Sequence, residues 1–409
     1  MNEVKKVPRL RFPGFVGEWK ETKLGEISIW ASGGTPAKDN ENYWNGDIPW
    51  ISASSMRGIE YYDSELKITD TGLARGSKLA TKGSLLILVR GSMLFNTIPI
   101  GIATRDVAFN QDVKSIKVIG ANHAKYILYW LIASENQLMS MVSGTGIGAG
   151  KLDLHELKNL QILLPTLPEQ QKIASFLTVL DTRLQQLQRK KALLEQYKKG
   201  LMQQIFSRKI RFRDEEGKEF GAWEEKRLGE ISTDVMYGMN SAATDYDGVN
   251  KYLRITDIDD ESRMFSPKPL SSPDGALEEK YRLKEGDIVF ARTGASTGKS
   301  YLYKKEDGIL FFAGFLIKFS IIKAIPYFIY IQTFSTSYQK WVGMMSMRSG
   351  QPGINAEEYR SLKLLISSIA EQQKIATFLT ALDAKIAHVT AQITLTQTFK
   401  KGLLQQMFV

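Results

Sequence analysis

The sequence predicts an α+β chain written twice: two globular domains in pseudo-twofold repeat, separated by two long helices that form an antiparallel coiled coil. Three observations predict it. The chain matches itself at a nearly constant offset, the tail of each copy carries apolar residues at heptad spacing, and each interior mixes short β-rich runs with turns.

The repeat comes first. WKETKLGEIS begins at Trp19 and WEEKRLGEIS at Trp223, 204 residues later. IPWIS from Ile48 faces YLRIT from Tyr252 at the same offset, and KGSLLILVRG from Lys82 resembles EGDIVFARTG from Glu285 after a one-residue gap. EQQKIASFLTVLD from Glu169 matches EQQKIATFLTALD from Glu371, and YKKGLMQQIF continues against FKKGLLQQMF at an offset of 202. A unit near 200 residues is a duplicated domain, not a solenoid repeat. The tails match closely while residues 53–80 and 257–282 hardly match, so a common frame carries two different surfaces.

The tails read as helices. Ile173, Leu177, Leu180, Leu184, Leu187, Leu194, Leu201 and Ile205 alternate in 3- and 4-residue steps or their sums, interrupted by Lys191 and Lys198. Ile375, Leu379, Leu382, Ile386, Val389, Ile393, Leu403 and Met407 keep the same register, interrupted by Thr396 and Lys400. A stripe this narrow is a coiled-coil seam and needs a partner: the two helices pair with each other, which for a central and a terminal helix is antiparallel, or each pairs with another chain. Thr166 with Glu169, and Ser368 with Glu371, read as capping boxes. The expected division is residues 1–165, a helix at 166–207, residues 208–367, and a helix at 368–409.

Within the globular parts, residues 84–89, 287–290 and 309–319 read as strands. Asp153 with Glu156 and Asn355 with Glu358 mark helix starts near the two domain ends. The formal charge of +10 favours a polyanionic partner. The absence of cysteine excludes disulfides and thiolate metal sites, and His123, His155 and His388 lack ligand spacing. No apolar stretch reaches membrane-spanning length, so a soluble cytoplasmic protein is expected.

Three enzyme-like signals fall away. The segment ending in Gly298-Lys299-Ser300 is one residue short of a phosphate-binding loop, and the first half has no matching lysine. Asp274, Glu278 and Lys280 mimic a nuclease acid–acid–lysine set but crowd into eight turn-like residues that include Pro273. An amino-methyltransferase needs an N/D-P-P-aromatic loop, and the chain has no Pro-Pro pair. The expectation is a non-catalytic protein.

The duplicated frame, the start Leu167-Pro168-Glu169-Gln170-Gln171, the opening W-x-x-x-x-L-G-E-I and the run GDIVFARTG together resemble the specificity subunits of type I restriction–modification systems, over essentially the whole chain. The resemblance implies two target-recognition domains, each reading one half of a bipartite, asymmetric site on double-stranded DNA. It implies two methyltransferase subunits using S-adenosylmethionine and restriction/translocase subunits using ATP and Mg, with no cofactor on this chain. The alternative is an antiparallel coiled-coil adaptor for protein partners with only non-specific nucleic-acid affinity.

Positioning on DNA needs Lys and Arg at phosphates, and sequence reading needs Arg, Asn or Gln at base edges. Arg90 and Arg292 end the paired strands beside glycines, where a long side chain projects past a low backbone. Arg57, Lys78, Asn96 and Arg105 join them in the first domain, and Arg254, Lys299, Arg348 and Gln351 in the second. Ala149 stands where the second domain has Gln351.

Overall fold

The computed structural model describes residues 6–145, 148–347 and 351–409. The chain divides into two units: residues 1–189 with 390–409, and residues 190–389. Each unit therefore holds one β-rich body, one half of the central helix Leu167–Phe206 and one half of the terminal helix Ile369–Met407.

In the first unit a five-stranded sheet runs in the order Ser28–Ser32, Val113–Val118, Leu85–Leu88, Ile100–Ala103, Glu60–Tyr61. Leu85–Leu88 is buried along its whole length, as a strand covered on both faces must be. A second sheet holds the parallel pair Trp44–Ile51 and Val107–Phe109. Strands Lys20–Lys23 and Gln161–Leu164 pair antiparallel and close the body beneath the central helix. Ile173 and Leu177 of that helix, with Leu403, Leu404 and Met407 of the terminal helix, share one core with Leu85, Ile116 and Tyr126.

The second unit repeats this plan. Its main sheet runs Ser232–Tyr237, Leu316–Ile321, Asp287–Ala291, Ser300–Leu302. The parallel pair is Lys251–Leu253 with Leu310–Phe312, and the closing pair is Glu224–Arg227 with Lys363–Ile366. Ile375, Leu379, Met202 and Ile205 enter its core beside Ile288 and Phe328.

Three expectations change. The run 309–319 is two strands in different sheets, because the chain turns at residues 313–315: Leu316 N–H donates to Ala313 O at 2.9 Å, and Gly314 N–H to Met239 O at 2.8 Å. The parallel pairs also correct the repeat alignment. Trp50 opposite Ala108 corresponds to Tyr252 opposite Phe311, two residues from the match of Ile48 with Tyr252; a two-residue slip keeps every side chain on its face, so the pattern hides it. Glu169 and Glu371 do not return to the helix caps. The Glu169 carboxylate takes Arg11 Nε and Nη2 at 2.7 and 2.8 Å, and that of Glu371 takes Arg211 Nε and Nη2 at 2.8 and 3.0 Å and Trp223 Nε1 at 2.8 Å. Gln170 and Gln372, buried beside them, accept from the backbone N–H of His123 and Ile325 and donate to Pro165 O and Ser367 O. The shared EQQ motif thus staples each long helix to its own domain. Asp153 and Asn355 do cap helices, accepting from Glu156 N–H at 3.2 Å and Glu358 N–H at 2.9 Å.

All sixteen seam positions are buried or half-buried. Two of the four interruptions are reciprocal. In the first unit Lys400 meets Asp181 at 2.5 Å, and Tyr129 Oη donates to the same carboxylate at 2.7 Å. In the second unit Lys198 meets Asp383 at 2.5 Å, and Tyr327 donates to that carboxylate. Burial and the adjoining aspartate push both tyrosine hydroxyls well above their ordinary pKa, so both act as donors. Each lysine near a helix C-terminus reaches an aspartate near the start of the other helix. The two helix segments of each unit are therefore antiparallel, and these ion pairs fix their register.

Candidate nucleic-acid interface

In the second unit the turn at 313–315 opens a cleft of about 560 Å³. Its walls are Tyr237 at the end of Ser232–Tyr237, Tyr252 and Arg254 from the strand Lys251–Leu253 and its exit, Arg292 just beyond Asp287–Ala291, and Phe315. Gly238 is required there: a β-carbon would lie 2.3 Å from the carbonyl oxygens of both Phe312 and Ala313. Tyr252 Oη donates to Met239 O and Ser241 O at 3.1 and 3.0 Å and holds the floor in place.

The two cleft arginines differ electrically. Arg254 forms a fork with the buried Asp257, Nε to Oδ2 and Nη2 to Oδ1 at 2.8 Å each, which raises its pKa and cancels much of its charge. Arg292 has no acidic partner among the described residues. Its Nε donates to Gly314 O at 3.0 Å, and its guanidinium carbon lies 5.0 Å from the Tyr237 ring centroid and 5.8 Å from that of Phe315. Tyr237 is itself fixed, its hydroxyl accepting from Ala356 N–H at 3.1 Å.

Matching backbone bonds identify the equivalent positions in the first domain. Val89 donates to Asp112 O and accepts from Leu152 N–H, as Arg292 donates to Phe315 O and accepts from Ile354 N–H. Ser52 N–H meets the Ser55 side chain as Arg254 N–H meets Asp257, and Ser32 pairs with Lys114 as Tyr237 pairs with Ile317. Tyr237, Arg254, Arg292 and Phe315 thus correspond to Ser32, Ser52, Val89 and Asp112. These four wall side chains differ on one backbone frame, while the fifth, Tyr252, corresponds to another aromatic, Trp50. Arg90 is accordingly the counterpart of Thr293 and not of Arg292, which corrects their pairing as strand-end equivalents.

The other sequence candidates disperse. Lys299 is withdrawn from any ligand: its Nζ donates to Ile258 O at 3.0 Å and pairs with Asp260, leaving the side chain 11% exposed. Gln351 is exposed on the loop whose Pro352 O accepts from Gly294 N–H, beside the strand end that carries Arg292. Arg348 lies outside the described residues. In the first domain Arg90 is exposed opposite exposed Lys151, with Asn96 ending the adjacent turn Ser92–Phe95. Lys78 is exposed on Lys78–Ala80. Arg57 and Arg105 are exposed beyond opposite ends of the parallel pair Glu60–Tyr61 and Ile100–Ala103, so they do not join one site.

Sequence reasoning missed Tyr237, Tyr252 and Phe315; the signal available was Gly314 interrupting an apolar run, which marks a close backbone approach. The Gly298-Lys299-Ser300 segment lies in a β-hairpin between Asp287–Ala291 and Ser300–Leu302. Its N–H groups at 294, 297, 298 and 299 bond to Pro352 O, Gly294 O, Ala291 O and Ser296 O and cannot cradle a phosphate. Glu278 pairs with Lys280 at 2.5 Å, both solvated. Among the described residues no cluster of three His, Asp or Glu could hold a metal, and no helix is long and apolar enough to cross a membrane.

A family model described as the type I restriction modification DNA specificity domain matches residues 17–196 and again 221–396. The chain is 34% identical over 167 residues to the Escherichia coli "Type I restriction enzyme EcoR124I/EcoR124II specificity subunit", covering 40% of this chain and 41% of that protein. It is 25% identical over 382 residues to the MjaVIII specificity subunit of Methanocaldococcus jannaschii, covering 90% and 86%. Thus the first match spans less than half of the relative's length, the second most of it. Among solved structures, the S subunit of a type I restriction–modification system from M. genitalium shares the fold with a TM-score of 0.62 at 16% identity, covering 98% of this chain and 99% of that one.

Proposed function

The chain belongs to the type I restriction–modification DNA-specificity family, and on that premise we propose that it is the non-catalytic subunit that reads DNA sequence for a methylating and restricting complex. One domain reads each half of a bipartite site on double-stranded DNA. The observation that carries this reading is the exchange of four cleft side chains on a conserved frame: two scaffolds alike in backbone carry Tyr237, Arg254, Arg292 and Phe315 in one domain and Ser32, Ser52, Val89 and Asp112 at the equivalent positions of the other. Identical readers would favour a symmetric site, and these favour an asymmetric one.

The test is selection from a randomised duplex library by the chain assembled with its methyltransferase subunits. The expected motif has two unlike halves and a fixed gap. Equal recovery of all duplexes would reject sequence reading.

Methyltransferase subunits, two in number, supply S-adenosylmethionine chemistry, and restriction subunits supply ATP- and Mg-dependent steps; this chain positions them on DNA in the cytoplasm. A duplicated surface supports the stoichiometry. Leu193 and Tyr197 are 55% and 54% exposed one turn apart on the central helix, and their repeat equivalents Leu395 and Phe399 are 69% and 55% exposed on the terminal helix. Exposed apolar pairs of this size at i, i+4 suit helix docking. Leu193→Glu with Tyr197→Glu is expected to remove one methyltransferase copy and leave the other, a loss readable as complex mass in native mass spectrometry. A double variant that still holds two copies would remove this patch from the interface.

A further inference from the structure

We propose that Arg292 is the specificity-determining residue of the second domain and that it reads a guanine in the major groove. The inference rests on the proposed DNA-reading function and adds the residue and the base. Three constraints hold the Arg292 fork in a fixed orientation: the Nε bond to Gly314 O at 3.0 Å, the anchored Tyr237 ring at 5.0 Å and the Phe315 ring at 5.8 Å. Among the described residues, neither terminal nitrogen of the guanidinium donates a hydrogen bond, and no carboxylate pairs with it. Two unoccupied donors on a planar, charged group facing an open cleft call for two acceptors in one plane. Guanine presents that pair, O6 and N7, on its major-groove edge. Tyr237 and Phe315, 40% and 59% exposed, flank the approach and favour a flat ligand edge.

A phosphate is the other bidentate acceptor, and the repeat argues against it. A backbone contact carries no sequence information and would serve both domains alike. Yet Val89, 7% exposed, occupies the position of Arg292 in the first domain, so the fork belongs to one reader only. Neighbouring Arg254 lacks this freedom because Asp257 occupies its fork. The reading group of the cleft is therefore one arginine, and its base is one guanine in one half-site.

The experiment compares wild type, Arg292→Val and Arg292→Lys, each as the full chain with its methyltransferase subunits, selected on the same randomised duplex library. The first domain already carries valine at the equivalent strand position, so the frame accommodates it; thermal melting checks each variant. Wild type is expected to require guanine at one position of one half-site. Arg292→Val should lose that preference by roughly 10- to 100-fold while every other position keeps its own. Arg292→Lys should keep a reduced preference for guanine. An unchanged motif in Arg292→Val, a uniform affinity loss across all sequences, or loss of preference for a base other than guanine would each overturn the inference. A wild-type complex with no base preference anywhere would instead sink the DNA-reading function itself.

Discussion

Glu371→Ala is expected to destabilise the second unit by about 3–5 kcal/mol, the range for removing one partner of a buried, hydrogen-bonded ion pair. The carboxylate is fully buried and accepts three bonds, two from Arg211 and one from Trp223 Nε1. Alanine leaves a guanidinium only 22% exposed without its counter-charge and an indole N–H without an acceptor. Arg211 would also lose the anchor that lets its Nη2 hold the carbonyls of Phe220 and Gly221 at 3.1 and 2.8 Å. The equivalent Glu169→Ala should be milder, about 2–3 kcal/mol, because Trp19 Nε1 already lacks a partner among the described residues and only the Arg11 bonds are lost. For units near 200 residues each kcal/mol moves the melting temperature by roughly 2–4 °C. Differential scanning calorimetry should therefore show a fall of roughly 6–20 °C for Glu371→Ala and a smaller one for Glu169→Ala. A fall of only a degree or two in both would show that these carboxylates do not staple the helices, and equal larger falls would show that the Trp223 bond adds nothing to the staple.

This pair also shows how far the sequence could be read. Ser368 with Glu371 satisfies a local rule for helix starts, and the hydroxyl does accept from Glu371 N–H, at 3.3 Å. The carboxylate itself is claimed by an arginine 160 residues away. No spacing rule reports a partner that distant, so a local reading of Glu371 was available and its long-range bond was not. Heptad spacing, by contrast, is local, and it correctly marked Ile173, Leu187, Val389 and Met407 as buried positions of the two helices. Lys198 and Lys400 looked like flaws in that pattern until tertiary structure supplied Asp383 and Asp181. The cleft was half legible. Arg254 and Arg292 stood out as cations, but Phe315 was hidden in an apolar run, and the one local sign that the fork of Arg254 is occupied and that of Arg292 open is Asp257, three residues after Arg254, with no acid at that spacing after Arg292.

Replacing residues 208–367 with the corresponding domain of a family relative is expected to change one half of the recognised site completely and leave the other intact. The physical requirement is that the incoming domain dock on helix segments it did not evolve with. Polar contacts across that boundary within the second unit include Arg211 and Trp223 to Glu371, Ile325 N–H to Gln372 Oε1 at 2.8 Å, Gln372 to Ser367 O, Lys374 to Arg213 O and Tyr327 to Asp383. The rings of Phe212 and Phe328 meet those of Phe378 and Phe206. The polar contacts to Ile325, Ser367 and Arg213 are made by backbone, so a donor must supply three polar docking side chains, an arginine, a tryptophan and a tyrosine at the equivalents of 211, 223 and 327, and apolar packing at those of 212 and 328. The reading walls at Tyr237, Arg254, Arg292 and Phe315 lie elsewhere in the domain and are free to differ. A donor that has the three docking side chains and different walls should give a folded hybrid, and methylation-sensitive sequencing of DNA from cells expressing it with the methyltransferase should return a motif new in one half only. A donor lacking the arginine should give the same new half-site with a lower melting temperature, because docking and reading use separate residues. Should both halves of the motif change in a well-folded hybrid, the two domains do not read independently, and the assignment of one half-site to each domain would be wrong.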